Sequence, residues 1–271
     1  MQGHEPVLVN QVLSYLRVEP QGRYLDGTVG LGGHTLALLW ACSEPVRVLG
    51  LDRDAQSLEK ARRRIEAAGI SEQVELVQAE FSDFSRVMEE LGWLDLHGAL
   101  LDLGISSWQL ERPERGFSLY FDGPLDMRLD QDFPGETAHE LVNRANERRL
   151  QRIIRDLGEE PLAGRIARRI LQARSRGPIE TTSQLAKVVE GAYPPKRRRK
   201  AKNHPATRTF QALRIAVNSE LEELSRFLER IPHSLRPGGR VAVISFHSLE
   251  DRLVKWAFRR AARGGDCPEG Q

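Results

Sequence analysis

Leu25-Asp26-Gly27-Thr28-Val29-Gly30-Leu31-Gly32-Gly33-His34-Thr35 is the stretch that decides the fold class of this 271-residue chain. A strand pattern over 23–26 runs into a glycine-rich turn, and a helical pattern follows over 34–41. Glycines after a first strand let backbone approach a ligand, and the next helix presents free N–H groups. The dinucleotide fingerprint G-x-G-x-x-G fits badly, because Gly30 and Gly32 suit its first two positions but Thr35 occupies the third. Asp26, opening the loop, instead suits a cofactor with a cationic amino acid moiety. A glycine-rich turn holding no ligand is the plainer alternative.

Outward from this loop, strand and helix patterns alternate. Residues 46–51 form a continuous apolar-rich run ending at Asp52, the pattern of a buried parallel strand. Asp54 caps a helix through Ala68, which Gly69 stops. Residues 74–77 give a third strand, 83–91 a helix and 98–102 a fourth strand. Repeated units of this length predict a parallel sheet. The alternation then halts: helices are expected over 138–157 and 162–174, and from a cap at Thr181 or Thr182 through Gly191. It resumes with a helix over 206–230, a Pro237-Gly238-Gly239 turn, a strand over 241–244 and a helix after Ser248. Residues 1–109 and 208–271 are thus expected to form one discontinuous α/β domain, with 110–207 as an inserted helical domain.

Net charge is only +2, but it is unevenly spread. Residues 110–207 hold 20 Lys/Arg against 14 Asp/Glu, whereas the rest holds 20 against 24. A phosphate-bearing partner is drawn to the basic segment. Within it, Lys196, Arg197, Arg198, Arg199, Lys200 and Lys202, followed by His204, are expected to contact phosphates; a solvated loop is the alternative. No apolar stretch approaches the ~18 residues of a membrane helix. No charged-then-apolar leader is seen either, so a cytoplasmic location is expected. Cys42, expected in a helix, and Cys267 suggest neither a disulfide framework nor a zinc site.

Several side chains fall where open α/β sheets bind ligands, outside the carboxyl ends of strands. Asp52 suits the two ribose hydroxyls of a nucleoside cofactor. Phe81 suits packing on adenine, with a core position as the alternative. Asp102, with Ser106 and Ser107 after it, and His247 in the cluster Ser245 to Arg252 are expected near the reacting centre. Asp102 and His247 are the candidate catalytic residues, with Ser106 as a further member of that polar wall.

Many segments resemble one family. They are His4-Glu5-Pro6-Val7-Leu8, the loop 25–35, Asp102 to Ser107 with Gln109-Leu110, and Arg115-Gly116-Phe117-Ser118. Further matches are Asp122 to Arg128, His204 to Arg214 and Ser245 to Arg252. In this order they resemble, over nearly the whole chain, the bacterial RsmH/MraW methyltransferases. The resemblance implies a Rossmann-like class I methyltransferase sheet with an inserted helical domain. It implies N4-methylation of a cytidine in 16S (small-subunit) ribosomal RNA at the decoding centre, with S-adenosyl-L-methionine as donor. It places the cofactor at Gly32, Gly33, His34, Asp52, Phe81, Asp102 and Gln109, and substrate recognition in the insertion. A sulfonium is already a good leaving group, so no metal is expected.

Two departures stand out. Amino-methyltransferases of DNA usually carry an Asp/Asn/Ser-Pro-Pro-Tyr motif after the fourth strand, where this chain has Asp102-Leu103-Gly104-Ile105. The family pattern also continues past the last helix with a basic tail, so two further strands of a seven-stranded sheet are expected beyond Gln271. The competing classes are a methyltransferase of another RNA or DNA exocyclic amine, an NAD-dependent oxidoreductase and a non-catalytic RNA-binding protein.

Overall fold

The computed structural model describes residues 6–132, 134–200 and 202–263, with the side chain of Lys200 left aside. His4, Glu5 and Cys267 lie outside the described residues. The chain forms two compact units, 1–104 with 221–271 and 105–220.

The first unit contains α1 (Val9–Leu16), β1 (Arg23–Asp26), α2 (Gly33–Leu39), β2 (Arg47–Asp52), α3 (Ala55–Ala67), β3 (Val74–Gln78), α4 (Phe84–Glu90) and β4 (Leu96–Asp102). The strands are parallel, in the order β3-β2-β1-β4-β5, where β5 is the strand formed after the chain returns from the second unit. Leu25, Leu49, Leu51, Leu100 and Leu101 are fully buried, which is why these strands read as apolar runs rather than alternations. The winding β1-β2-β3 goes to one side of β1, and β4 takes the other. The strand order therefore reverses between β1 and β4, and a crevice opens outside their carboxyl ends. The expected helix after Asp54 is present, and that carboxylate accepts from Gln56 N and Ser57 N. Cys42 lies beyond the end of α2, not within a helix.

The second unit is helical: α5 (Ser107–Leu110), α6 (Ala138–Arg144), α7 (Glu147–Asp156), α8 (Ala163–Arg174), α9 (Thr182–Ala192), α10 (Pro195–Lys200) and α11 (Thr207–Asn218). The helix expected over 138–157 is in fact two, because Asn146 turns out of the helix and accepts from Arg149 N to start α7. Phe210 and Leu213 of α11 join the core built by Leu141, Leu150, Ile166 and Leu185. This packing moves the boundary expected at 207/208 to residue 220. Two glycines let backbones interlock in the long loop before α6. A Cβ on Gly116 would sit 2.2 Å from Pro124 O, and one on Gly123 would sit 1.8 Å from Pro113 O.

The chain continues with α12 (Glu220–Arg230), β5 (Leu235–Ile244) and α13 (Ser248–Ala262). The expected helix over 206–230 is broken at Ser219, whose φ is +51°. Asn218 sits at the break: Oδ1 accepts from Leu129 N and Nδ2 donates to Met127 O, both outside the helix, and Nδ2 also donates to Arg214 O within it. The expected Pro237-Gly238-Gly239 turn is instead a bulge within β5, since Leu96 pairs with Leu235 but Gly98 pairs with Arg240. Among the described residues no helix is long and apolar enough to cross a membrane.

Candidate active site

The carboxyl ends of β1, β2 and β4 carry Asp26, Asp52 and Asp102, and each aspartate does something different. Asp26 is fully buried, accepting from Thr28 N at 3.2 Å and from the Thr35 hydroxyl at 2.7 Å. Burial pushes its pKa up, while the Thr35 hydrogen bond and the nearby His34 pull it back. Asp26 therefore ties the two ends of the glycine loop together, and the expectation that it meets a cationic ligand group directly is corrected.

Asp52 accepts from Gly30 N at 2.7 Å through Oδ2 and from Asp54 N at 2.8 Å through Oδ1. Burial pushes its carboxyl up to about 7, against the opposing backbone hydrogen bonds of Asp54 and Gly30. A carboxylate oxygen has two acceptor positions, so each retains one for a ligand hydroxyl. A Cβ on Gly30 would meet nothing within 4 Å, so the loop is open at that point.

Gly32 and Gly33 are closely packed by neighbouring elements. Gly32 has φ +79°, and a Cβ there would lie 3.2 Å from Ala61 Cβ on α3. A Cβ on Gly33 would lie 2.9 Å from Pro6 Cγ.

Asp102 is anchored through its backbone, its N–H donating to the Thr28 hydroxyl oxygen at 2.6 Å. The carboxylate is one-quarter exposed, and its Oδ2 stands 3.6 Å from Nε2 of His34, a residue only 5% exposed. Asp102 Oδ1 and His34 Nε2 are both buried without a hydrogen-bond partner. Buried polar atoms normally find partners, so two orphans at a switch point mark the place a ligand would satisfy. Phe81 lies partly buried beyond β3, edge-on to Phe227 at 5.9 Å. The missing side chain of Gly27 makes room for Phe81 and Leu101.

The remaining expected site residues are placed differently. His247 is the N-cap of α13: its Nδ1 accepts from Glu250 N at 3.4 Å, and its Nε2 is 3.1 Å from Glu250 Oε1. Glu250 in turn accepts from Phe246 N and His247 N. Nδ1 is thus committed to the helix end, while Nε2, although close to Glu250, is buried without a hydrogen-bond partner. Gln109 and Ser106 belong to the helical unit, where Gln109 Oε1 accepts from Ser106 N at 2.9 Å in a capping box. The basic run is helical, not a loop, with Lys196, Arg197, Arg198 and Arg199 exposed on α10 and Lys202 exposed just after it. His204 accepts from Ala206 N at 3.1 Å and lies 3.0 Å from Glu190, so it secures the start of α11.

Sequence reasoning missed the two threonines. Thr28 joins β1 to β4, and Thr35 closes the loop on Asp26. Their positions flanking the glycines were the only signal.

A parallel sheet with acidic strand ends, an anchored glycine loop and orphaned polar atoms at its switch point defines a Rossmann-like protein with a nucleoside-cofactor site. The chain belongs to the MraW methylase family, whose model matches residues 1–271. It is 55% identical over 265 residues to the ribosomal RNA small subunit methyltransferase H of Oleidesulfovibrio alaskensis, covering 98% of this chain and 81% of that protein. The protein of the same name from Solidesulfovibrio magneticus is 54% identical over 268 residues, covering 99% and 82%. A solved RNA methyltransferase from Salinibacter ruber, in complex with S-adenosyl-L-homocysteine, matches with TM-score 0.31 and 20% identity over 49% of this chain and 84% of that one.

Proposed function

We infer that this methylase transfers a methyl group from S-adenosyl-L-methionine to N4 of a cytidine in small-subunit ribosomal RNA, at the decoding centre. The observation that carries the chemical part is Asp102 Oδ1, buried and unpartnered beside His34 at the carboxyl end of β4. The substrate part rests on the relatives' shared name and on the basic insertion.

The residues present fit the cofactor. Asp52 has acceptor capacity for the ribose diol, Phe81 offers a partly exposed ring for adenine, and His34 Nε2 awaits the polar amino acid end. When bound, the cofactor supplies an electrophilic methyl group on a positively charged sulfur.

The chain's own work is positioning and proton handling. The lone pair of cytosine N4 is delocalised into its ring, so the amine is a poor nucleophile until it is held in line; orientation of that kind contributes several kcal/mol. Asp102 would accept a hydrogen bond from the amine at Oδ1, which favours a tetrahedral nitrogen, and would take the proton that the amine gives up. The anchored Asp102 N–H and the neighbouring His34 keep that carboxylate in place. His247 and Glu250 hold the β5–α13 corner at the same end of the sheet.

The direct test has two arms. Equilibrium dialysis with S-adenosyl-L-methionine and with NAD should show binding of the first only. Mapping modified nucleotides in ribosomal RNA from cells lacking the protein should show loss of one N4-methylated cytidine in the small subunit. Retention of every such mark would overturn the substrate assignment.

A further inference from the structure

The helical unit contains a cleft of about 760 Å³, formed by the start of α8, the α9–α10 corner and the start of α11. Leu162, Pro194, Pro205 and the ring of Tyr193 give it an apolar lining. Lys196, Arg197, Lys202 and Arg208 surround this lining. Lys196, Arg197 and Lys202 form no ion pair among the described residues, and Arg208 is steadied by donating to Glu159 O.

One carboxylate lines the cleft, and it is already committed. Glu160 is 2% exposed, accepting from the Tyr193 hydroxyl at 2.5 Å and from Leu162 N at 2.8 Å. Burial and that carboxylate push the Tyr193 phenol well above its usual range, so Tyr193 remains a neutral donor with a fixed ring. The cations keep their excess charge, and the lining keeps a rigid aromatic.

A solvated basic face needs no concave apolar lining, and a site for a simple anion needs no ring-sized floor. A nucleotide uses both, a planar base against Tyr193 and the prolines and phosphates against the cations. A paired base is inaccessible within a duplex, so the nucleotide must be unstacked. We propose that this cleft seats one unstacked nucleotide of a single-stranded RNA segment, with Lys196, Arg197 and Lys202 holding the flanking phosphates. The proposal rests on the reading of the chain as an RNA-modifying enzyme and deepens it, since it locates a strand-gripping site wholly within the helical unit.

The test exploits the two faces of α10. Arg198 and Arg199 share its charge and exposure but do not line the cleft. Binding of a short labelled single-stranded RNA to the full chain is measured by fluorescence anisotropy over a salt series. Lys196→Ala with Arg197→Ala should weaken binding about tenfold or more and make the log–log salt slope shallower by about 1.4. Arg198→Ala with Arg199→Ala should change affinity no more than about twofold. Asn203→Trp, which fills the cleft and keeps every cation, should also weaken binding, with an unchanged thermal midpoint showing that the fold is intact. Uridine monophosphate should compete better than inorganic phosphate.

Equal losses from the two double variants would overturn the cleft while leaving a diffusely bound RNA substrate standing. Equal competition by phosphate alone would reduce the cleft to an anion site and overturn the nucleotide. Failure of the unaltered protein to bind any RNA would overturn the underlying reading itself.

Discussion

Asp52 is the residue on which acidity and cofactor binding meet. Burial holds its carboxyl up to about 7, so it changes charge in the neutral range. Below that value a proton occupies an acceptor position that the ribose diol needs. Calorimetric affinity for S-adenosyl-L-methionine should therefore rise from about pH 6 to about pH 8 in the unaltered protein and stay nearly flat in Asp52→Asn. The sign for folding is opposite. A carboxyl raised on folding contributes stability that is fully present below its unfolded value and is lost as pH rises through its folded value, here about 7. Asp102 makes a separate prediction: Asp102→Ala should lower the single-turnover methylation rate on saturating cofactor by about a hundredfold. An unchanged rate would remove it from the proton path. Both aspartates were legible in the sequence because they end apolar strand runs. The true role of Asp26 was not, since its partner Thr35 comes nine positions later and meets it only once the loop has folded.

At the level of elements, most strand and helix positions followed from apolar patterning and caps, whereas breaks inside helices did not. Asn146 and Asn218 both sit in continuous helical patterns, and only a third dimension reveals what their amides bond. Removing the second should be costly: Asn218→Ala strands Leu129 N and Met127 O, and it should lower unfolding free energy by about 2–4 kcal/mol in urea titration. The His247 corner offers a cleaner separation of roles. Asn is a strong N-cap, so His247→Asn should keep both stability and methyl transfer, while His247→Ala should cost about 1 kcal/mol of stability. Loss of turnover in the Asn variant at unchanged stability would assign His247 a part in the chemistry.

For the whole molecule, the division of charge between the units matters more than its sum. If Lys196, Arg197 and Lys202 neutralise phosphates, affinity for single-stranded RNA should fall with a log–log salt slope of roughly −2. A slope near zero would deny the insertion an electrostatic role. Hydrogen exchange should show S-adenosyl-L-methionine protecting amides in 26–35 and around Asp52, with little change in α7 and α8. The insertion itself was visible in the sequence where strand–helix alternation stops. Its far boundary was missed because α11 has an ordinary amphipathic pattern, and pattern alone does not say which core will receive its apolar face.

The crossing of backbones at Gly116 and Gly123 has a genetic corollary. Any codon change that replaces either residue adds a carbon atom where a proline carbonyl oxygen already lies. Neither neighbour is a side chain that could swing aside, so no compensating rotamer exists. These two sites should behave as dead ends for mutational drift, and a saturation library selected only for soluble protein should return glycine at both.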